Sequence, residues 1–195
     1  IYSSTDNGDS WQLVGGISGG PTTYYRALGY RASDNRFFCG WLNGKVYSST
    51  NNGTNWSNHQ QGFGGSVTMI AEGGGRVVGV GNSGGGPGSI YTSVDGSRWA
   101  SNNTGFADNF ISLRYLNGAF LAYSGSPKSV IRSTDGTNFV RSVPGPSIRD
   151  ILWDGARYVG FANTGNSLYS STNGVDWTAI PGVAHPATFA TTTGI

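Results

Sequence analysis

A chain of 195 residues is long enough to bury a core of its own. Only 11% of it is charged and its net charge is +2. The Lys and Arg are scattered, so no basic stripe of the kind that grips nucleic acid is present. No apolar run reaches the ~18 residues of a membrane-spanning helix, and no segment reads as a signal peptide.

What remains is a chain with 33 glycines and 13% aromatics spread evenly among β-branched residues. No window of about 10 residues carries the i, i+3, i+4 apolar spacing of a surface helix. The composition is that of a glycine-punctuated all-β protein.

In chain order, the first element is a hairpin over residues 1–11, reading I-Y-S-S-T-D-N-G-D-S-W. Strands are expected over 24–30 and 36–41. A second hairpin then reads V-Y-S-S-T-N-N-G-T-N-W over 46–56. Strands over 67–71 and 76–80, joined by a triple-glycine turn, precede I-Y-T-S-V-D-G-S-R-W over 90–99. The pair 110–116 and 119–123 leads to I-R-S-T-D-G-T-N-F over 131–139. The pair 148–153 and 157–162 leads to L-Y-S-S-T-N-G-V-D-W over 168–177. The closing aromatics, Trp11, Trp56, Trp99, Phe139 and Trp177, stand 45, 43, 40 and 38 residues apart. That is the period of a propeller blade.

The phrase has a mechanical reading. An alternating strand runs into an Asp/Asn-Gly step, where glycine takes a positive φ. Ser and Asp or Asn side chains bond the turn's own backbone, and the aromatic opens the return strand. The residues concerned are Ser4, Asp6, Gly8 and Trp11; Ser49, Asn51, Gly53 and Trp56; Ser93, Asp95, Gly96 and Trp99; Ser133, Asp135, Gly136 and Phe139; Ser171, Asn173, Gly174 and Trp177.

This pattern resembles the Asp-box (BNR) repeat, S-x-D-x-G-x-x-W, of sialidases and many other propellers. The resemblance implies a β-propeller of four-stranded antiparallel blades spanning residues 1–195 as one domain, with the box at the turn between the third and fourth strands. Asn replaces Asp in two copies, the first two copies carry an extra turn residue, and Phe139 replaces Trp. These departures fit a hairpin staple that does not need charge.

Two arrangements stay open. The segment 189–194 resembles 161–165, so the C-terminal end can pair with the first hairpin to close a five-bladed ring with a short closing blade. Alternatively, the chain is a fragment of a six- or seven-bladed ring. It opens inside a repeat at Ile1, which reads as a processed chain or a piece of a longer one.

The search for chemistry finds little. Sialidase activity would need three arginines around a carboxylate and a Tyr–Glu pair. Glu72 is the only Glu, the family's Arg-Ile-Pro motif is absent, and Arg26, Arg114 and Arg149 fall at differing positions in their strands. A second carboxylate pair for another glycosidase is not evident. Asp6-Asn7-Gly8-Asp9 hints at a calcium loop but lacks its closing Glu. His59 and His185 stand too far from other ligands for zinc. Cys39, the only cysteine, lies in an apolar strand and reads as a small buried hydrophobe. No catalytic residue, metal or cofactor is assigned. The Asn-x-Ser/Thr matches at Asn52, Asn55 and Asn102 are of the kind chance supplies in such a sequence.

Binding is the remaining class. The loops opposite the boxes carry amides and aromatics: His59, Gln61, Phe63, Asn102, Asn103, Phe106 and Asn109. Trp41 and Trp153 stand outside the repeat. Amides beside aromatic faces suit a glycan or a protein surface. These residues are the candidate ligand contacts, with packing as the alternative for the two tryptophans. The chain resembles non-catalytic propellers of phage tails, virion surfaces and bacterial surfaces, which implies an extracellular or virion-surface setting and display in a larger assembly. A fragment of a sialidase-like glycoside hydrolase and an assembly scaffold resembling the photosystem II assembly propellers are the other readings. The scaffold would need a coherent arginine patch, which the sequence does not display.

Overall fold

Residues 1–14, 17, 25–59, 65–82, 88–102, 108–125, 128–142, 147–162 and 167–182 are described in a computed structural model of the chain. Among the described residues, eighteen strands form one two-stranded hairpin and four four-stranded antiparallel sheets. The hairpin is β1 (Tyr2–Ser3) and β2 (Gln12–Leu13). Blade 1 is β3 (Tyr25–Arg31), β4 (Arg36–Trp41), β5 (Val46–Ser49) and β6 (Ser57–His59). Blade 2 is β7 (Ser66–Gly73), β8 (Arg76–Asn82), β9 (Ser89–Ser93) and β10 (Ala100–Asn102). Blade 3 is β11 (Phe110–Leu116), β12 (Ala119–Gly125), β13 (Lys128–Ser133) and β14 (Val140–Arg141). Blade 4 is β15 (Ile148–Trp153), β16 (Tyr158–Ala162), β17 (Leu168–Ser171) and β18 (Thr178–Ala179). Each blade is a simple meander, and its third and fourth strands meet at the repeated turn, as the period implies. The pairing proposed for residues 189–194 lies outside the described residues.

The turns follow from side-chain chemistry. In every copy a serine hydroxyl accepts the N–H of the turn glycine, at 2.7–3.0 Å. That hydroxyl donates to the following Asp or Asn Oδ1, which in turn accepts backbone N–H groups beyond the glycine. Asn51 and Asn173 make the same Oδ1 contacts as Asp6, Asp95 and Asp135, so amide serves for carboxylate. The extra residue of the first two copies is an asparagine at positive φ, Asn7 at 59° and Asn52 at 56°. Asparagine is among the few side chains that tolerate this region.

Blades are held face to face. The forward face of blade 1 (Ala27, Phe38, Val46) packs on the rear face of blade 2 (Val67, Ile70, Val77, Trp99). Blade 2 presents Val78, Val80 and Ile90 to Phe110, Leu113, Phe120 and Ile131 of blade 3. Blade 3 presents Leu121, Tyr123 and Val130 to Ile148, Ile151 and Tyr158 of blade 4. The closing aromatics of blades 2, 3 and 4 lean back onto the preceding blade. Trp99 meets Phe38 edge-on at 6.3 Å, and Trp177 and Phe139 pack on the clusters behind them.

Burial of these aromatics is graded rather than uniform. Trp99 is 4% exposed, Trp56 and Trp177 are half-buried, and Trp11 is 63% exposed. The repeated phrase places a large apolar ring at each return strand, which predicts burial of Trp56, Trp99 and Trp177 alike; Trp56 and Trp177 are instead only half-buried.

A bulge recurs at the start of the first strand of all four blades, between Tyr25/Ala27, Val67/Met69, Phe110/Ser112 and Ile148/Asp150. Bulges add local twist. At the second one, Thr68 donates its hydroxyl to Phe110 O of the next blade at 3.1 Å.

Two outcomes are expected. Trp99→Ala lowers stability by about 3–5 kcal/mol, as loss of a core aromatic does, while Trp11→Ala costs under about 1 kcal/mol, as an exposed change does; urea melts of both variants measure the contrast. Hydrogen bonds from Ser10 and Ser4 hold the Asp6 carboxyl down from its usual 3.8 to about 2, and backbone N–H groups lower Asp95 and Asp135 likewise. Groups depressed by folding stabilise above their unfolded pKa, and that contribution is lost as pH falls through the folded value. Asp95→Asn and Asp135→Asn give up that contribution at pH 7, a small loss because both groups are exposed, and they flatten the loss of melting temperature below about pH 4.

Candidate functional site

The seams leave polar clefts on the turn side, and two of them are built alike. At the blade 1–2 seam, Arg36 opens β4, Ser48 lies in β5, His59 ends β6, and Ser97 follows the turn glycine of blade 2. The Arg36 Nη1 reaches Ser48 Oγ and Ser97 Oγ, each at 3.3 Å. Ser48 Oγ and His59 Nε2 are 2.7 Å apart. These groups line a cavity of about 320 Å³.

At the blade 2–3 seam, Arg76 opens β8, Thr92 lies in β9, Asn102 ends β10, and Thr137 follows the turn glycine of blade 3. Asn102 Nδ2 donates to Thr92 Oγ1 at 2.6 Å and to Gly136 O at 3.2 Å. With Arg98 and Trp99 these residues line a cavity of about 670 Å³.

The turn glycines let the arginines lie where they do. A Cβ on Gly96 would stand 3.3 Å from the Arg36 Cδ; on Gly136, 3.1 Å from the Arg76 Cδ; on Gly174, 2.9 Å from the Arg132 Cδ. Blade 3 has Ala119 at the start of β12 and supplies its seam arginine from the neighbouring strand instead. Each described seam between full blades thus lays an arginine stem across a turn glycine. The sequence reading found no basic patch because these arginines lie 40 to 56 residues apart; the blade period brings them into a row.

The electrostatics are mixed. Arg36 pairs with Asp34 at 2.8 Å. Arg31, 7% exposed, pairs with the same Asp34 and donates to Val94 O and Asp95 O, clamping blade 1 to the next turn. Arg76 has no ion pair among the described residues. Burial, with the Arg36 charge, pushes the His59 imidazole below its usual 6.5. It is neutral at pH 7 and can accept or donate one hydrogen bond.

The predicted contacts divide sharply. His59 and Asn102 occupy equivalent places in the two clefts, on the turn side rather than on the opposite loop face where sequence order puts them. Trp41 is 1% exposed and packs on Tyr47 with Cys39, so it serves the core. Trp153 is half-buried against Tyr158, with ring centroids 4.7 Å apart. Asn109 is half-buried, and its carbonyl accepts the Gly125 N–H at 3.3 Å. Gln61, Phe63, Asn103 and Phe106 lie outside the described residues. The Cys39 thiol is pushed up to about 12 by burial, which fits a packing role.

Of the arginines considered for a carboxylate clamp, Arg114 is committed to Asp150 in a two-pronged pair at 2.7 and 2.9 Å, with Tyr123 donating to the same carboxylate. Sequence reasoning missed Arg31, the seam arginines and Asp108. The last is fully buried and bonded to Ser129 and Arg141. The signal that finds Arg36 and Arg76 is the repeat register, in which Arg36, Arg76 and Arg157 each stand at or just before the start of a second strand. Among the described residues, no group of three or more His, Cys, Asp or Glu can hold a metal ion, and no helix is long and apolar enough to cross a membrane.

No protein-family model matches the chain, and no curated protein matches it. Solved structures do. The Niastella koreensis GH74 enzyme is similar at 23% identity and TM-score 0.60, over 83% of this chain and 25% of that one. YCF48 from Cyanidioschyzon merolae is similar at 14% identity and TM-score 0.56, over 80% of this chain and 55% of that one; YCF48 has also been solved bound to a D1 peptide. The WD40 β-propeller domain of Doa1 is similar at 12% identity and TM-score 0.59, over 90% and 59%. The chain therefore has the β-propeller fold, and it spans a quarter to about three-fifths of the length of these structures. At such identities the likeness is one of fold.

An NMR titration of the imidazole is expected to place the His59 midpoint below 6.5. A folded-state pKa below the unfolded one means the unfolded chain binds more protons, so stability falls as pH drops below about 6.5. In His59→Gln that limb of the stability profile is absent.

Proposed function

We propose that this chain is a non-catalytic recognition module, an Asp-box β-propeller displayed outside the cytoplasm that binds a polar ligand, a glycan before a protein surface. The observation that carries the reading is the repeated seam cleft. Cation, hydroxyl and amide or imidazole stand together twice at equivalent positions, and Trp99 lines the larger cleft. A sugar offers hydroxyls and C–H faces together, which is what such a lining meets.

The use of the acids supports a non-enzymatic reading. Asp6, Asp95 and Asp135 hold turns. Asp34, Asp108, Asp150 and Asp154 pair with arginines, and Asp176 accepts from Asn173. Glycoside hydrolysis needs two carboxyl groups facing each other roughly 5–10 Å apart across a bond. A second reading, a scaffold for protein segments, is favoured by the row of seam arginines and by the fold shared with YCF48.

A glycan array probed with a multimerised form, beside a panel of fluorogenic glycosides, separates these readings. Weak binding is expected, about millimolar to micromolar per site as for other shallow surfaces. It weakens in Arg76→Ala and Asn102→Ala and comes with no turnover. Turnover of any glycoside that is lost in Glu72→Gln would sink the non-enzymatic reading. Silence in both assays moves the assignment to the scaffold.

A further inference from the structure

The two seam clefts share a plan but not a charge. In the blade 1–2 cleft Arg36 is paired with Asp34 at 2.8 Å, and Asn55 stands just before the closing Trp56. Asp34 lies two residues before Arg36; two residues before Arg76 the chain has Gly74. The carboxylate that neutralises Arg36 therefore has no counterpart in the blade 2–3 cleft. Just before the closing Trp99, Arg98 takes the place of Asn55. Two guanidinium groups thus line the second cleft, and among the described residues neither is in an ion pair.

Asp95 is the acid on that lining. Its Oδ1 accepts the backbone N–H groups of Ser97 and Arg98 and the Ser93 hydroxyl, so the carboxylate is spent on its own turn. Two cations against one engaged anion leave the cleft with an excess of positive charge.

The cations are also held in place. Arg76 is half-buried, and its stem crosses Gly136, where a Cβ would stand 3.1 Å from Arg76 Cδ. Arg98 stands exposed at the rim. An arginine fork laid down in advance matches the paired oxygens of a carboxylate or sulfate and loses little freedom on meeting them. Beside it, Asn102 and Thr92, joined at 2.6 Å, and Thr137 offer hydrogen bonds to hydroxyls. Val94 and Ala100 add exposed apolar surface.

We propose that the blade 2–3 cleft takes an acidic glycan, a sugar chain bearing carboxylate or sulfate groups. Arg76 and Arg98 hold the acid, and Thr92, Asn102 and Thr137 meet the hydroxyls. The inference rests on the glycan reading above and adds the charge of the ligand. A neutral sugar forgoes the charge-assisted bonds, each worth about tenfold or more in affinity.

An NMR titration of the full chain tests this with matched pairs: an oligogalacturonate and its methyl ester, and a sulfated galactan oligosaccharide and its desulfated form. At least one acid form is expected to bind about tenfold or more tightly than its neutral partner, and which one does so identifies the acid group. Arg76→Met and Arg98→Met keep an unbranched stem and are each expected to remove most of that preference with an unchanged melting temperature. Arg98 is exposed, so its variant carries the test if Arg76→Met melts early. Arg157→Met removes the same charge from blade 4 and is expected to leave the preference intact. Equal binding of acid and neutral forms overturns the proposal and leaves the glycan reading standing. No binding of any oligosaccharide overturns both. A preference that survives both cleft changes, or is lost as much in Arg157→Met, overturns the placement in this cleft. Binding of a poly-glutamate peptide as tight as that of the better oligosaccharide overturns the choice of a sugar.

Discussion

The row of blades depends on one contact, the closing of the turns of blades 2, 3 and 4 against the blade before each. A serine hydroxyl and an Asp or Asn oxygen hold the turn, and glycine at its tip takes φ near 70–100°. The absent Cβ does more than free the backbone. A Cβ on Gly96 would stand 2.6 Å from the Phe38 ring, and one on Gly136 3.2 Å from the Phe120 ring. The turn therefore sets the distance between blades, and the aromatic that follows is delivered onto the preceding core. Protein interiors pack too tightly to yield such space elsewhere. A larger residue at the tip would open the seam along its length.

That close approach also creates the clefts. Because the glycine is small, an arginine stem can lie across it and leave its guanidinium at the rim, beside the hydroxyls of the third strand and the end of the fourth. Fold and candidate site are thus one arrangement seen at two depths. Apolar side chains fill the seam inside, and polar ones line it outside. The seams are not identical. Arg36 is neutralised by Asp34, whereas Arg76 and Arg98 share a cleft whose nearest carboxylate, Asp95, is engaged by the backbone of its own turn. The second cleft is the larger and the more cationic, and it carries the tryptophan.

Much of the fold was legible in the residues. Strands β4, β11 and β15 begin and end where alternation and turn chemistry place them, and the five turns form at the repeated phrase. Local rules suffice there, because a two-residue period and a glycine after Asp or Asn act over a few residues. The interchange of Asn and Asp was also legible, since either supplies the same oxygen. The candidate site was legible only in part. His59 and Asn102 drew attention as residue types, yet their partners, Ser48 with Ser97 and Thr92 with Gly136, are supplied by other strands and by the next blade. Trp41, which lies outside the repeat, stood open between packing and ligand contact, and nothing local reveals that Tyr47 and Cys39 close over it.

What the amino-acid sequence determined by itself is the blade: strand, turn, strand, with a period near 40 residues and an aromatic at each return. These features follow from short-range sterics and hydrogen bonding, and each copy states them again. What only the tertiary structure decided is how one blade meets the next. The arginine row, the paired clefts and the gradation from a buried Trp99 to an open Trp11 arise from residues roughly a blade length apart. Their contact depends on a face that another blade supplies, and no pattern within one repeat records whether that face is present.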